Sequence, residues 1–590
     1  MNLPASACLV AGIETLTTDV AIIGTGGAGL MCALHVAERA PGARIALVSK
    51  GIVGKSGCTR MVQGGFNAAL RAPDSVQAHF EDTLRGGQYL NDQELAWALV
   101  DGAPRVIGEL ETKVGCFFDR DAEGRIHQKP FAGQGHDRTV HRGDLTGIEI
   151  MGRLRDQMFR IAPLELEDVR ALDLLADTDG RLAGVSLACI RTGKFKVLRA
   201  RVVVLATGGA ATMYRVAAPA REKTGDGAAM CYRAGLELRD MEMLQFHPTG
   251  LLAGESRLTG AVLEEGLRGA GAWLLNGEGE RFMARYDADR MERSTRDVVA
   301  RASYTEIAAG RGGPRGGVFL DIASVLGADE VRRRFPGMVD RTRKMGQDLS
   351  QGPVEVSPTA HFHMGGVIID PDCRTSLDGL LVAGEDAGGA HGANRLGGNG
   401  VAESTVFGAR AGDTAAALLD SRGLSVPEAG QVEASIERAL APLRDGPGPD
   451  PFTVTRRLKE FMWDQAGVVR SGPGLRAAAA GLADLAGEVE DVRAAGPREV
   501  NYTWQEALDL RNQVTVARLL VAAATAREES RGAHTRSDFP GQDDENWLRY
   551  TVVRVGPDGD PVVQTRPVQF TRLTPPVRPS PNGSVPGERG

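Results

Sequence analysis

Residues 19–49 read DVAIIGTGGAGLMCALHVAERAPGARIALVS. Asp19–Gly24 is an apolar run ending in glycine, the pattern of a strand buried on both faces. Ala28–Arg39 follows a helical pattern, and Ala43–Ser49 is a second apolar run. Strand, tight turn, helix and strand within about 30 residues make a βαβ unit. The turn, Gly24-Thr25-Gly26-Gly27-Ala28-Gly29, is a GxGxxG. Its first glycine permits the turn, the second lets backbone approach a pyrophosphate, and the third lets the helix pack on the strand. The diphosphate then sits on the helix N-terminus. A lone GxGxxG is weak in a chain with 76 glycines. Here the strand, the helix and the spacing all agree on a dinucleotide site. The second strand ends in Ser49-Lys50, not in the acidic residue usual for ribose binding, although Ser49 can still hydrogen-bond a ribose.

Two further buried strands lie far along the chain. Arg201–Ala206 ends at Thr207-Gly208-Gly209, and Gly379–Ala383 ends at Gly384-Glu385. A nicotinamide enzyme usually completes its cofactor domain in one stretch, whereas distant Gly-rich strand ends suit a long flavin dinucleotide across a two-part domain. The predicted fold class is α/β: a two-part FAD-binding Rossmann-like domain with an inserted capping domain and a helical C-terminal domain. The expected boundaries are 1–240 and 356–424 for the two FAD-binding parts and 241–355 for the cap. Residues 425–540 are expected to be helical, and 541–590 to form a polar, Pro-rich C-terminal segment ending in an extended tail.

Composition bounds the function. The chain has 590 residues, 42 % hydrophobic and 25 % charged, which is globular and three or four domains' worth. The formal net charge is −7, so no nucleic-acid partner is expected. Seven cysteines lie far apart with no CxxC pair, which excludes an internal four-cysteine cluster and fits a reducing compartment. No metal site is expected. No apolar run approaches the ~20 residues of a membrane span. Ala5–Ile13 has no basic residue before it, so no signal peptide is expected and the placement is cytoplasmic.

Several segments resemble the flavoprotein subunits of succinate dehydrogenase and fumarate reductase, a family that includes L-aspartate oxidase. They are SKG at 49–51, QGG at 63–65, DLTG at 144–147, TGDG at 224–227 and QFHPTG at 245–250. They continue with EEGLRGAG at 264–271, ERFM at 280–283, RDVVAR at 296–301 and PTAHFHMGG at 358–366. HGANRLGGNG at 391–400 and ESRGAHTRSDFPGQDDENW at 529–547 complete a set in family order over nearly the whole chain. The resemblance implies that Gly24, Gly26, Gly29, Ser49, Gly64, Gly65, Asp226, Glu385 and Asn399 hold FAD. It implies that electrons pass to a separate iron–sulfur subunit, itself on a membrane anchor. The chain would then be peripheral on the inner face of the cell membrane through its partners.

A four-carbon dicarboxylate needs donors at both ends, and redox at C2–C3 needs hydride exchange with flavin N5 and a proton on the opposite face. By resemblance, His247, His361 and Arg395 clamp the carboxylates. Arg296 exchanges the proton at carbon, and Glu265 and Arg268 relay it. An arginine is an unusual acid, so the role requires Glu265 to exchange the proton at once. His361 and His363 alternate, which on a strand puts both on one face, where two imidazoles alone make a thin metal site.

Two departures from the family matter. Its covalently flavinylated members carry a histidine where this chain has Cys58, so noncovalent FAD is expected. Losing the link is expected to lower the flavin potential, which favours fumarate reduction and excludes neither direction. Glu264 stands where the family usually has Thr or Ser beside the substrate. A second carboxylate there must be protonated, turned away or paired with a cation, or else face an amino acid's ammonium. That keeps an aspartate oxidase, or a related soluble enoate reductase, as the alternative. Against the oxidase, Pro130-Phe131-Ala132-Gly133 lacks the glutamate that aspartate oxidases carry near there.

Overall fold

The computed structural model describes residues 13–576. The stretch 5–12 and the expected tail beyond 576 lie outside the described residues. The elements that frame the site include, in chain order, β1 (Glu14–Ile23), α1 (Gly27–Arg39), β2 (Ile45–Val48), β3 (Leu164–Leu166), β4 (Val169–Ala176), β5 (Leu182–Cys189) and β6 (Phe195–Leu205). Then come β7 (Leu244–Leu251), β8 (Trp273–Leu275), α2 (Arg296–Ala308), β9 (Val318–Asp321), β10 (Val354–His363), β11 (Leu380–Val382) and α3 (Asn399–Leu418).

The seven-stranded sheet runs β3-β2-β1-β6-β5-β4, with β11 also on β6. Parallel register joins the three distant segments: Val20 faces Ile45 and Val202, and Leu380 faces Val203. The strands are buried on both faces, which is why they read as unbroken apolar runs. Their carboxyl ends stop side by side at Gly24, Ser49, Ala206 and Ala383, and it is there that open α/β sheets bind ligands.

A second, antiparallel sheet runs β7-β10-β9-β8. It has its own core, with Leu251, Leu263, Leu320, Phe335 and Val356 buried together apart from the main cluster. Strand β10 begins at Val354 and continues to His363, so it crosses the boundary expected at 355/356. Three long helices follow, α4 (Pro451–Ala466), α5 (Gly472–Asp491) and α6 (Tyr502–Ala526). The polar segment after 540 holds a hairpin, Arg549–Val555 paired with Pro561–Pro567, which docks on Leu238–Arg239. A fully buried ion network secures it. Arg527 reaches Glu242 at 2.7 Å and Glu529 at 2.8 Å, and Arg531 reaches Glu529 at 2.7 Å. The Ala533 N–H donates to the Ala393 carbonyl at 2.8 Å, so this segment braces the loop carrying Arg395. Among the described residues, no helix is long and apolar enough to cross a membrane.

Candidate functional site

One continuous cavity of about 690 Å³ opens along the strand ends, within the ~300–1,000 Å³ usual for ligand sites. Its wall begins at the glycine turn. Gly24 has φ +102°, and a Cβ on it would meet the Ala206 carbonyl oxygen at 2.1 Å. Gly29 does not line the cavity; a Cβ there would meet the Gly24 carbonyl oxygen at 2.0 Å, so its role is the close packing of helix on strand. Helices α1 and α3 both start at the cavity, at Gly26 and Gly398, without a side-chain cap. Two uncapped helix N-termini facing an elongated cavity fit an anionic dinucleotide.

Ser49, Gly64, Gly65, Asp226 and Glu385 also line it. Asp226 is held by Lys50 at 2.8 Å and by the Asn512 amide at 2.8 Å. Glu385 pairs with Lys223 and accepts from the His363 N–H at 2.9 Å. Asn399 departs from expectation. Its side chain is fully buried away from the cavity, accepting from Asn67 at 2.7 Å, lying 3.0 Å from His79 and donating to Thr83 at 3.1 Å. Gly398 and Gly400 line the cavity in its place. Cys58 is part of the wall; the Ala220 N–H points at its sulfur, and burial raises the thiol's pKa.

The other end of the same cavity is lined by His247, Glu264, Glu265, Arg296, His361 and Arg395. Arg296 is the first residue of α2, on the cap. Its Nε donates to Glu265 Oε2 at 2.8 Å, and Nη2 lies 2.6 Å from the same oxygen. Burial opposes the charge on Glu265, but Arg296 and Arg268 outweigh it and hold the carboxyl below its ordinary value. Arg268 is buried behind the wall, with Nη2 3.7 Å from Glu265 Oε1. Arg395 stacks on Phe362 at 4.3 Å. Burial, then Arg296, pushes its guanidinium down to about 9.

His247 and His361 lie 5.4 Å apart, edge to face. Burial and the neighbouring arginines push both well below the ordinary imidazole value, so both rings are neutral. The Thr249 N–H donates to His247 Nδ1 at 3.3 Å, which places the ring proton on Nε2. His361 Nδ1 and Arg395 Nε are buried and, among the described residues, without a hydrogen-bond partner. Arg395 Nε is an orphan donor, and His361 Nδ1 is one in the tautomer that carries its proton there; buried donors beside a cavity are the complement of a carboxylate.

His361 and His363 do not share a face. The register of β10 against β7 slips between Gln245–Phe362 and Phe246–Ala360, a bulge at His361. His361 and Phe362 therefore both reach the cavity, while His363 Nε2 meets the Met241 carbonyl at 2.8 Å. His391 is buried 3.2 Å from Glu403.

The structure adds Gln245. Its Oε1 accepts from Arg296 Nη1 at 3.2 Å and from Arg395 Nη2 at 3.1 Å, joining the cap arginine to the base arginine. Its place two residues before His247 in QFHPTG was the one signal for it. Lys129, 3.7 Å from Glu264, had none.

A family profile described as FAD binding domain matches residues 19–401, and one described as Fumarate reductase flavoprotein C-term matches residues 455–581. One subunit of the CoM/CoB fumarate reductase of Methanothermobacter marburgensis is 42 % identical over 541 residues, covering 91 % of this chain and 97 % of that one. The fumarate reductase flavoprotein subunit of Mycobacterium tuberculosis is 36 % identical, with 95 % and 99 % coverage. The solved E. coli quinol fumarate reductase FrdA bearing E245Q superposes with TM-score 0.91 at 32 % identity, covering 97 % of this chain and all of that one. Mycobacterium smegmatis Sdh1 in complex with UQ1 gives 0.85 at 38 %, with 95 % and 96 % coverage.

Proposed function

The chain belongs to the succinate dehydrogenase/fumarate reductase flavoprotein-subunit family, an FAD-dependent oxidoreductase family, and on that premise we propose that it interconverts succinate and fumarate. The observation that carries this reading is the single cavity joining the glycine cradle to the buried donor set of His247, His361, Arg296 and Arg395.

FAD, when bound, supplies the two-electron chemistry, giving a hydride to or taking one from a substrate carbon at N5. Arg395 and the two neutral imidazoles hold the carboxylates by donation. Arg296 delivers the proton to the second alkene carbon of fumarate, so that hydride plus proton saturate the bond and yield succinate; succinate oxidation is the reverse. Glu265, a carboxylate 2.6 Å from Arg296 Nη2, hands on to it a proton drawn from Arg268, which is refilled from solvent; an arginine acid requires such immediate replacement. Arg268 stands next in the relay. Arg296 comes from the cap and Arg395 from the base, so cap closure assembles the site and excludes water.

Electrons leave for a separate iron–sulfur subunit docked on a membrane anchor, placing the chain on the inner face of the membrane. That its relatives carry subunit names supports this reading. FAD is held noncovalently, with Cys58 in place of a linking histidine. Acid precipitation of the holoprotein is expected to leave yellow flavin in the supernatant, and flavin kept in the pellet contradicts this.

The function is tested by anaerobic mixing of the holoprotein with succinate, and separately with L-aspartate. Succinate is expected to bleach the visible flavin band. Bleaching by L-aspartate alone overturns the proposed substrate.

A further inference from the structure

We propose that Glu264 binds the substrate as a neutral carboxylic acid, donating its proton in a hydrogen bond to one substrate carboxylate, so that wherever free Glu264 is ionised each dianion enters with one proton. This rests on the dicarboxylate reading above.

An ionised carboxylate only accepts hydrogen bonds, whereas a protonated one supplies a neutral donor to a substrate carboxylate. The geometry favours the second state. Glu264 is 5 % exposed, lines the cavity beside Glu265 and His247, and its Oε2 is buried with no hydrogen-bond partner among the described residues. The charged groups around it include Lys129, Arg341 and Asp144, with Glu265 its neighbour in sequence. Lys129, on the short strand Gln128–Lys129, forms an ion pair with Oε2 at 3.7 Å, longer than a hydrogen bond. Arg341, on the helix Pro336–Arg343, spends its Nη1 on the Val262 carbonyl at 2.8 Å. Asp144, from the loop before the helix Thr146–Ile161, lines the same cavity and has its own orphan oxygen, Oδ2. Glu265 is adjacent in sequence and is committed to Arg296.

Burial, with Asp144 behind it, raises the Glu264 pKa above the ordinary carboxylate value, against the pull of Lys129 and Arg341. A dianion arriving beside it pushes the same way. The protonated form dominates at low pH, so affinity is greatest there and falls as pH rises through the value of the free enzyme. The limiting slope is about tenfold in Kd per pH unit. His247 and His361 stay neutral throughout, and Arg395 titrates only near 9.

Malonate is the probe, because it carries two carboxylates but no C2–C3 bond to oxidise. Its Kd is read from the perturbed flavin spectrum of the FAD-loaded protein between roughly pH 6.5 and 8, above the second ionisation of malonate, so that the probe is a dianion throughout. Proton uptake is read by calorimetry in two buffers of different ionisation enthalpy. The wild type is expected to take up about one proton at the upper end and to weaken about tenfold per unit. Glu264→Gln keeps an N–H donor. It should bind within about threefold of the wild-type low-pH affinity, with no slope and no proton uptake. Glu264→Thr, a hydroxyl donor, should be equally flat, so a folding failure of one variant leaves the other to decide. A wild type that binds malonate without proton uptake, or a flat-donor variant that keeps the slope, overturns the proposal. An FAD-loaded wild type that binds no malonate at any pH overturns the dicarboxylate reading, and this proposal with it.

Discussion

Arg296→Lys is expected to lower turnover by about a thousandfold, the scale of a lost general acid, while FAD stays bound and malonate still binds. The arginine uses a planar fork. Nε and Nη2 rest on Glu265 Oε2, and Nη1 rests on Gln245 Oε1. A lysine ammonium is one point charge on a flexible stem and cannot hold both partners while presenting a proton to carbon. It would also relax the pairing that keeps buried Glu265 charged. The check is steady-state fumarate reduction with a reduced dye, together with flavin content per chain. Near-normal turnover with full flavin content would remove Arg296 from the proton-transfer role.

Arg395→Ala should act on binding instead. Its guanidinium is buried over Phe362 with Nε unpartnered among the described residues, and a substrate carboxylate is the partner that site lacks. Charge-assisted hydrogen bonds contribute about 1.5–3 kcal/mol each. The Kd for malonate is therefore expected to rise about a hundredfold, or about 2.8 kcal/mol. The rate at saturating fumarate should fall less. An unchanged Kd would contradict the assignment. Gln245 Oε1 serves both arginines, so the two substitutions should not be additive.

How much of this was legible in the sequence follows from the range of each signal. The βαβ unit is local, and Gly24–Gly29 announces both the turn and the cradle. The shared sheet could be inferred from three apolar runs that each stop at glycine, because strands buried on both faces carry no alternation to mislead. The bulge at His361 was not legible. One extra residue reverses the side-chain alternation, and nothing in PTAHFHMGG marks it. Asn399 was misread for a related reason. Its partners Asn67, His79 and Thr83 lie more than 300 residues away in sequence, and only the fold brings them together. The C-terminal hairpin was legible but passed over. Arg549–Val555 is a β-rich run and Asp558-Gly559 is a turn signal, both hidden by the proline content around them.

Under the proposed function, one cavity brings a flavin and a dicarboxylate together for direct two-electron exchange. Its most direct test is a single turnover. The FAD-loaded chain, reduced anaerobically with dithionite and freed of excess reductant, is mixed with one equivalent of fumarate. Full recovery of the oxidised flavin band is expected, with one succinate formed per flavin. A reduced flavin that stays bleached with fumarate, yet is reoxidised by a small dye, would contradict it.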